Sequence, residues 1–460
     1  MFPSLKANKQ FYRKVMLIAV PILIQNGITN FVSLLDNIMV GQVGTLQMSG
    51  VSIANQLLLI FNLCIFGGTS GAGLFTAQFH GSQDHTSIRH TFRFKLLLCA
   101  ALSLVGSCIF AFGGKSLIGV YLRGEGSPQE AALTLEYGME YLMIMLIGLL
   151  PFALSNAYCS TLRECGQTIV PMAAGIAAVL TNLLGNYILI FGHFGMPAMG
   201  IRGAAFATVL SRFVELGIVA VWAHTHKQQH PFIQGTYRSM HIPRALFYKI
   251  LRKGCPLIIN EFLWSSGIAV LNQCYSTCGL DVVPATNIST TLQNLCSVVS
   301  FALANAVGIM MGQMLGADCT ENQVRTANRR LITLSVLTAA IFAGVTISIS
   351  SVFPQLYNTT DSVRQLATIL ICISAAAMPV QSLAVCCYFT MRSGGQVLLT
   401  FLIDSCFIWA VNVPLAFCLS RFTDLPIVPL FLICQLPELI RCTVGTAVVR
   451  KGTWINNLTK

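Results

Sequence analysis

The chain has 460 residues, of which 55% are apolar and only 10% are charged. A soluble domain of this length has too few polar groups to cover so much apolar surface, so lipid must be the solvent for much of it. The formal net charge of +12 would suggest nucleic acid in a soluble protein; here the placement of the charges matters more than their sum, and no nucleic-acid partner is expected.

The apolar runs divide into twelve spans: Val15–Val40, Ile53–Phe79, Leu96–Tyr121, Leu135–Thr161, Ile169–His193, Ala204–Trp222, Pro256–Cys278, Thr286–Leu315, Leu331–Phe353, Leu366–Met391, Val397–Leu419 and Ile427–Val449. Each can cross roughly 30 Å of hydrocarbon at about 1.5 Å per residue. The runs are continuous and do not alternate, which predicts helices and not a barrel. A shift of 235 residues lays the chain on itself without a gap, placing Pro21 on Pro256, Asn37 on Asn272, Gly44 on Gly279, Gln78 on Gln313 and Gly81 on Gly316. About one position in six is identical between Pro21 and Leu96, and the shared positions are mostly Pro, Gly and Asn. The expected fold is an all-α membrane protein of twelve transmembrane helices in two six-helix lobes, related by a parallel pseudo-twofold repeat. The lobes are expected at 1–223 and 255–460, with a cytoplasmic linker at 224–254.

The first span carries Asn26, Thr29, Asn30, Ser33, Asp36 and Asn37 at three- and four-residue steps, with Gln25 at the edge of the same face. A polar stripe on a membrane helix faces a water-filled cavity or another helix, and Asp36 is its one charge. Pro21, inside the same span, frees the carbonyl of Leu17 and weakens the helix there; Pro151, Pro379, Pro414 and Pro437 interrupt other spans. Gly67 and Gly71 in the second span permit close helix contact. Glu140 in the fourth lies near enough to the outer surface to be solvated. Asn182 and Asn186 mark the fifth span, one turn apart. In the sixth, Arg212 and Glu215 are spaced to neutralise each other. His224, His226 and His230 cluster beside the linker without metal-ligand spacing, and no metal or cofactor is expected.

The seventh span repeats the stripe of the first with Asn260, Glu261, Ser265, Asn272 and Ser276. The eighth carries Asn287, Thr290, Thr291, Asn294 and Ser297. Asp404 in the eleventh has no local partner, whereas Glu438 and Arg441 in the twelfth are spaced to pair. The seventeen cysteines, Cys274, Cys278, Cys386 and Cys387 among them, read as small packing residues. Asn358-Thr359-Thr360 fits a glycosylation acceptor, a triplet common by chance. No glycine-rich phosphate loop followed by Lys is present, so ATP is not the evident fuel, and no enzyme constellation is visible.

Alternate loops are basic. Lys6, Lys9, Arg13, Lys14, Arg89, Arg93, Lys95, Arg163, Arg392 and twelve others fall on one side, twenty-one in all, against Lys115, Arg123, Arg202, Arg364 and Arg421 on the other. The bias predicts both termini in the cytoplasm. No cleavable signal peptide is evident, and the first span is expected to stay as an anchor.

Several segments resemble the multidrug and toxic compound extrusion (MATE) transporters. They are Pro21, then Asp36-Asn37-Ile38-Met39-Val40-Gly41-Gln42-Val43-Gly44, Leu162-Arg163 before Gly166, Gly203-Ala204-Ala205-Phe206-Ala207-Thr208, Met391-Arg392 before Gly394, and Trp454-Ile455-Asn456-Asn457-Leu458. The resemblance implies two six-helix lobes in a V and export of organic cations in exchange for protons or sodium ions. It implies that Asp36, beneath the Pro21 kink, is a coupling carboxylate and that Glu261 is the family's acid on the seventh helix. Asn156 and Asn182 match polar positions lining the first lobe. One branch of the family has an Asp on the fifth helix, where this chain has Asn186; another has one on the tenth, where counting back from Arg392 places Gln381. The coupling ion therefore stays open between proton and sodium.

In the mechanism expected, ionised Asp36 or Glu261 attracts a cationic amphiphile, and uptake of a proton or sodium ion cancels that attraction and releases the cargo outward. The alternative is a flippase for lipid-linked saccharides of the same broad fold group, whose anionic cargo calls for several Arg or Lys in the cavity. The protein is expected in the plasma membrane, the bacterial inner membrane, as a monomer, with the bilayer and small cationic molecules as its partners.

Overall fold

The absence of water inside a bilayer forces each crossing segment to satisfy its own backbone hydrogen bonds, and the chain answers with helices. The computed structural model describes residues 8–122, 127–279, 281–357, 359–423 and 425–459, excepting the side chains of Asn8, Leu34 and Asn37. Asn358, where the glycosylation triplet begins, and the basic residues Lys6, Arg123 and Lys460 lie outside them, as does the side chain of Asn37. Among the described residues there are no strands and twelve helices long and apolar enough to cross a membrane. They are α1 (Asn8–Gly41), α2 (Thr45–Gly81), α3 (His85–Tyr121), α4 (Pro128–Glu164), α5 (Ile169–Phe191), α6 (Ile201–Thr225), α7 (Arg244–Ser276), α8 (Val282–Gly316), α9 (Glu321–Ile349), α10 (Asp361–Ser393), α11 (Val397–Phe422) and α12 (Ile427–Lys451).

Each helix corresponds to one expected span, but most run past the apolar limits, in several cases from a polar cap. Asp84 accepts from the backbone N–H of Thr86 and Ser87, starting α3 eleven residues before the expected Leu96 (96 − 85 = 11). Ser127 and Glu130 form a reciprocal capping box at the start of α4. The expected linker shrinks accordingly: only 226–243 lies between α6 and α7, and it contains the short 3-10 turns Pro231–Ile233 and Thr236–Arg238. Three residues counted as basic loop charges are instead buried. Arg93 donates to the carbonyls of Gly235, Thr236 and His241 at 2.8, 2.9 and 3.1 Å, clamping the linker on α3. Lys95 is fully buried against Glu164 at 2.6 Å, with Ser160 and Thr161 completing its hydrogen bonds. Arg392 is 4% exposed.

The helices gather into two compact units. The first comprises the described residues of Ile24–Thr76 and Asp84–Ile258, and the second those of Met1–Leu23, Ala77–Gln83 and Ile259–Lys460. Two long helices are thus divided between units. α1 passes from the second unit to the first after Leu23, and α7 from the first to the second after Ile258, positions separated by the repeat shift (258 − 23 = 235). Pro21 and Pro256 each lie two residues before a crossing, inside helices that continue through them. In the first unit the leading segment of α7 packs on α2: a Cβ on Gly67 would stand 2.8 Å from the Ile258 Cα, and one on Gly71 2.4 Å from the Gly254 Cα. In the second unit Val15, Ile18, Ala19 and Ile22 of α1 share a core with Ala302 and Ala306 of α8, the positions equivalent to Gly67 and Gly71.

The repeat is confirmed most directly where α2 and α8 end, inside the second unit. A Cβ on Gly81 would meet the Gln313 carbonyl oxygen at 2.1 Å, and one on Gly316 would meet the Gln78 carbonyl oxygen at 1.8 Å. The contact is reciprocal (313 − 78 = 235; 316 − 81 = 235), as a local twofold axis requires. Gly44 and Gly279 share the same left-handed backbone, φ 154° and 152°. The gapless shift does not extend through the whole half. By the ends of α4 and α10 the match is Arg163 with Arg392 and Gly166 with Gly395, an offset of 229 (392 − 163 = 229), where the same 5→2 and 6→1 cap bonds close both helices.

α11 and α12 are irregular. α11 carries two successive π turns, Leu402–Cys406 and Ile408–Asn412. α12 is interrupted at Leu436, before Pro437, which has no N–H to continue the ladder.

Candidate functional site

The polar face of α1 opens on two adjoining cavities of the first unit, of about 480 and 270 Å³. Ser33, Asp36, Phe152, Thr208 and Arg212 line both. Gln25, Asn26, Asn156 and Asn182 line the smaller one; Asn186, Asn55 and Asn62 line the larger. Asn30 is exposed and lies outside both, so the sequence stripe runs past the edge of the cavity wall.

Asp36 is held by amides, not by a base. Asn186 donates to it at 2.7 Å. Asn182, one turn earlier on α5, faces it at 2.8 and 2.9 Å on one side of its amide and the Thr208 hydroxyl at 3.0 Å on the other. Among the described residues no Lys or Arg stands within ion-pair distance of Asp36. The hydrogen-bond inventory gives this triad two self-consistent arrangements. With Asp36 ionised, both asparagines donate to the carboxylate, and Asn182 accepts from Thr208 through its oxygen. With Asp36 protonated, its O–H donates to the Asn182 oxygen; the Asn182 amide turns to donate to Thr208, whose hydroxyl donates to the Ala204 carbonyl at 2.9 Å. A single proton therefore reverses the amide and every polarity downstream of it. The Asn186 amide oxygen is buried and lacks a hydrogen-bond partner, so one acceptor stays free at the site. Carboxylate and amide oxygens are also the ligand type that a hard monovalent cation requires.

Arg212 pairs with Glu215 as expected, though loosely, at 3.9 Å. Its guanidinium also lies over the Phe152 ring, 4.7 Å from the centroid. Arg163, another cavity residue that periodicity did not single out, donates to the Gln25 amide oxygen at 2.7 Å. The expected solvated Glu140 is ion-paired with Arg202.

The second unit treats its acids differently. Glu261 is not among the residues lining the cavity that contains Asn272. It lies 3.9 Å from Arg392, which is stacked near Tyr388 and Phe389 and donates to the Tyr388 hydroxyl at 3.3 Å. Asn260 donates to Asp404 at 3.0 Å and accepts from Ser405 at 2.7 Å. Asp404, which has no partner nearby in sequence, receives the distant Arg441 at 3.1 Å; that guanidinium also reaches Glu438 at 3.2 Å, the expected pair. Arg441 therefore serves two acids from separate helices. Sequence spacing shows only the nearer one. The π turns of α11 place Asp404 and Ser405 against α7, where Trp409 donates to the Leu263 carbonyl at 2.9 Å. Gln381 accepts from Gln293 at 3.3 Å and lines a cavity of about 290 Å³ with Asn272, Thr290, Asn294 and Ser297.

The histidines near the linker are occupied by other contacts. His224 pairs with the Tyr158 hydroxyl at 3.2 Å, and His226 stacks on Trp222 with ring centroids 4.5 Å apart. Burial, then the neighbouring His226 and His85, holds the His230 imidazole below its ordinary pKa, so it is neutral near pH 7. Cys274, Cys278, Cys386 and Cys387 are unbridged.

Comparison with known proteins places this arrangement. The MatE family model matches residues 21–188 and 256–418. The chain is 24% identical over 455 residues to a probable multidrug resistance protein NorM of Thermotoga maritima, covering 96% of this chain and 93% of that protein. It is 27% identical over 432 residues to a probable multidrug resistance protein YoeA of Bacillus subtilis, covering 92% and 90%. Among solved structures, an outward-facing multidrug resistance MATE family transporter of the MOP superfamily superposes with a TM-score of 0.83 at 18% identity, covering 95% of each chain. A MOP superfamily transporter from Pyrococcus furiosus gives 0.83 at 18%, covering 97% and 96%. With the family model matched across both halves and twelve spans in place, the chain is a multi-pass membrane protein and belongs to the MatE family of multidrug efflux transporters.

Proposed function

We propose that the protein is a secondary antiporter that exports cationic amphiphilic compounds in exchange for protons or sodium ions, with Asp36 as the principal coupling group. One observation carries this reading: a membrane-embedded carboxylate in a cavity wall, held by two asparagine amides and by no base. Ionised, Asp36 attracts a cation whose apolar body packs on Phe152, Leu58, Leu59 and Met145. Loading with a proton or sodium ion from the outside cancels that charge, and a proton also reverses the Asn182–Thr208 polarity, which ends the attraction. One charge moving through 100 mV supplies about 2.3 kcal/mol, a few tens-fold of concentration gradient. The basic-loop asymmetry supports a plasma-membrane setting with both termini cytoplasmic, and the cycle requires only one copy of the chain.

The flippase alternative calls for a cavity of net positive charge. Here Arg163 and Arg212 are matched by Asp36 and Glu215 in the same cavity wall.

Dye transport in inverted vesicles, with a pH gradient and a sodium gradient imposed separately, tests the reading. Gradient-dependent accumulation of a fluorescent cation is expected with one of the two ions. Accumulation that ignores both gradients overturns it.

Glu261 is a secondary group in this reading because Arg392 already balances much of its charge. Glu261→Gln is expected to lower efflux about threefold to tenfold without reaching background. Wild-type rates in that variant would assign Glu261 to structure alone.

A further inference from the structure

Arg212 is loosely held for a charge in a cavity wall. A guanidinium has five N–H donors. Among the described residues Arg212 makes no hydrogen bond, and its nearest acid, Glu215, is 3.9 Å away. Compare Arg163, which donates to Gln25 at 2.7 Å, and Lys95, which spends its ammonium on Ser160, Thr161 and Glu164. A cation placed inside a membrane protein without close hydrogen-bonded partners is costly and marks a functional position. The guanidinium carbon lies 4.7 Å from the Phe152 ring centroid, a contact that uses none of its N–H donors. The larger cavity, about 480 Å³, has Arg212 and Asp36 in one wall, with apolar Leu58, Leu59 and Met145 between polar groups. That volume suits a drug-sized molecule.

We infer that Arg212 is a specificity-determining residue: the cavity selects cargo that carries a carboxylate beside its cationic centre, so zwitterions are preferred over simple cations. The inference rests on the export reading above and names its substrate class. The planar fork of Arg212 takes the carboxylate in a bidentate pair, and Asp36 takes the cation. A simple cation meets the same Asp36 but leaves the donors of Arg212 unspent. A simple anion meets Arg212 and is repelled by Asp36. Loading Asp36 with an ion removes only the cationic half of this recognition, which suffices to weaken a ligand held at both ends.

Two rhodamines test this: one with a free benzoate and its methyl ester, which share a cationic fluorophore and differ in that single carboxylate. Fluorescence anisotropy on the purified full-length protein in detergent gives an affinity for each. Wild type is expected to bind the zwitterion more tightly than the ester, and fluorescein, an anion, weakly. Arg212→Gln should weaken the zwitterion about thirtyfold and the ester less than about threefold. Arg212→Lys should restore part of the difference, since it keeps the charge but not the fork. Retained ester binding shows that the variant is folded. Equal weakening of both dyes, an unchanged ratio, or fluorescein binding as tight as the zwitterion would overturn the inference. If wild type transports the ester on an ion gradient yet shows no preference between the two, the selectivity fails and the export reading stands. If it neither binds nor transports either dye, both fail.

Discussion

Asp36→Asn is expected to reduce gradient-driven efflux of a fluorescent cation to the level of membranes lacking the protein, a loss of about a hundredfold or more, at unchanged protein abundance. The amide is nearly isosteric, so the cavity keeps its shape. Its oxygen still accepts from Asn186, which sits 2.7 Å from the carboxylate in wild type. Its NH2 group donates to the Asn182 oxygen, and Asn182 then donates to Thr208. That is the hydrogen-bond pattern of the protonated acid, so the variant is held in the ion-loaded state and has no charge to regenerate. Folding should be preserved for the same reason, since no buried polar group loses its partner. Efflux above about half the wild-type rate in this variant would remove Asp36 from the mechanism.

Gly316→Val is expected to produce the largest structural effect. At this point α8 meets the backbone of α2: the new Cβ would lie 1.8 Å from the Gln78 carbonyl oxygen. No rotamer relieves a contact with backbone, so the helix ends must separate. Overpacking typically costs about 1–3 kcal/mol and occasionally more; a backbone contact belongs at the upper end. Separation also strains what Gln78 holds. Its amide donates to the carbonyls of Ser393 and Asn456 at 2.9 and 3.2 Å and accepts from the Leu458 N–H at 2.6 Å, fastening the C-terminal tail beneath the buried Trp454. The yield of monodisperse protein should fall about tenfold on size-exclusion chromatography. Gly344→Val is the matched control on exposed helix, where nothing stands within 4 Å of the added Cβ, and it should elute as wild type. A monodisperse, normally abundant Gly316→Val protein would show that the α2–α8 contact does not limit stability.

These two expectations differ in how far the sequence alone led to them. Asp36 was visible because a charge at helical spacing with Asn26, Thr29 and Ser33 makes one face, and one face of a membrane helix must meet something polar. Gly81 and Gly316 were visible as a repeated pair, yet nothing in either segment said that each would sit on the other's backbone. The same boundary appears among the buried charges. The Glu438–Arg441 pair spans three residues and can be read from spacing. The Arg441–Asp404 pair spans thirty-seven (441 − 404 = 37) and depends on two π turns that no local pattern announced. The Arg212–Glu215 spacing did give an ion pair, but a loose one at 3.9 Å, and spacing could not show that Arg212 makes no hydrogen bond among the described residues.

By itself the sequence determined the twelve crossings, the doubling of the chain and the polar face of α1. These follow from hydropathy and helical period, which are properties of neighbours along the chain. Tertiary structure alone decided that α1 and α7 are divided between units beyond their prolines, that Asp36 is met by amides from α5 while Glu261 is met by arginine, and that Arg212 faces open space. The reason is physical. In lipid the apolar side chains gain little from choosing one neighbour over another, so partner choice passes to close backbone approach and to polar groups seeking one another across helices, and neither is written in any single segment.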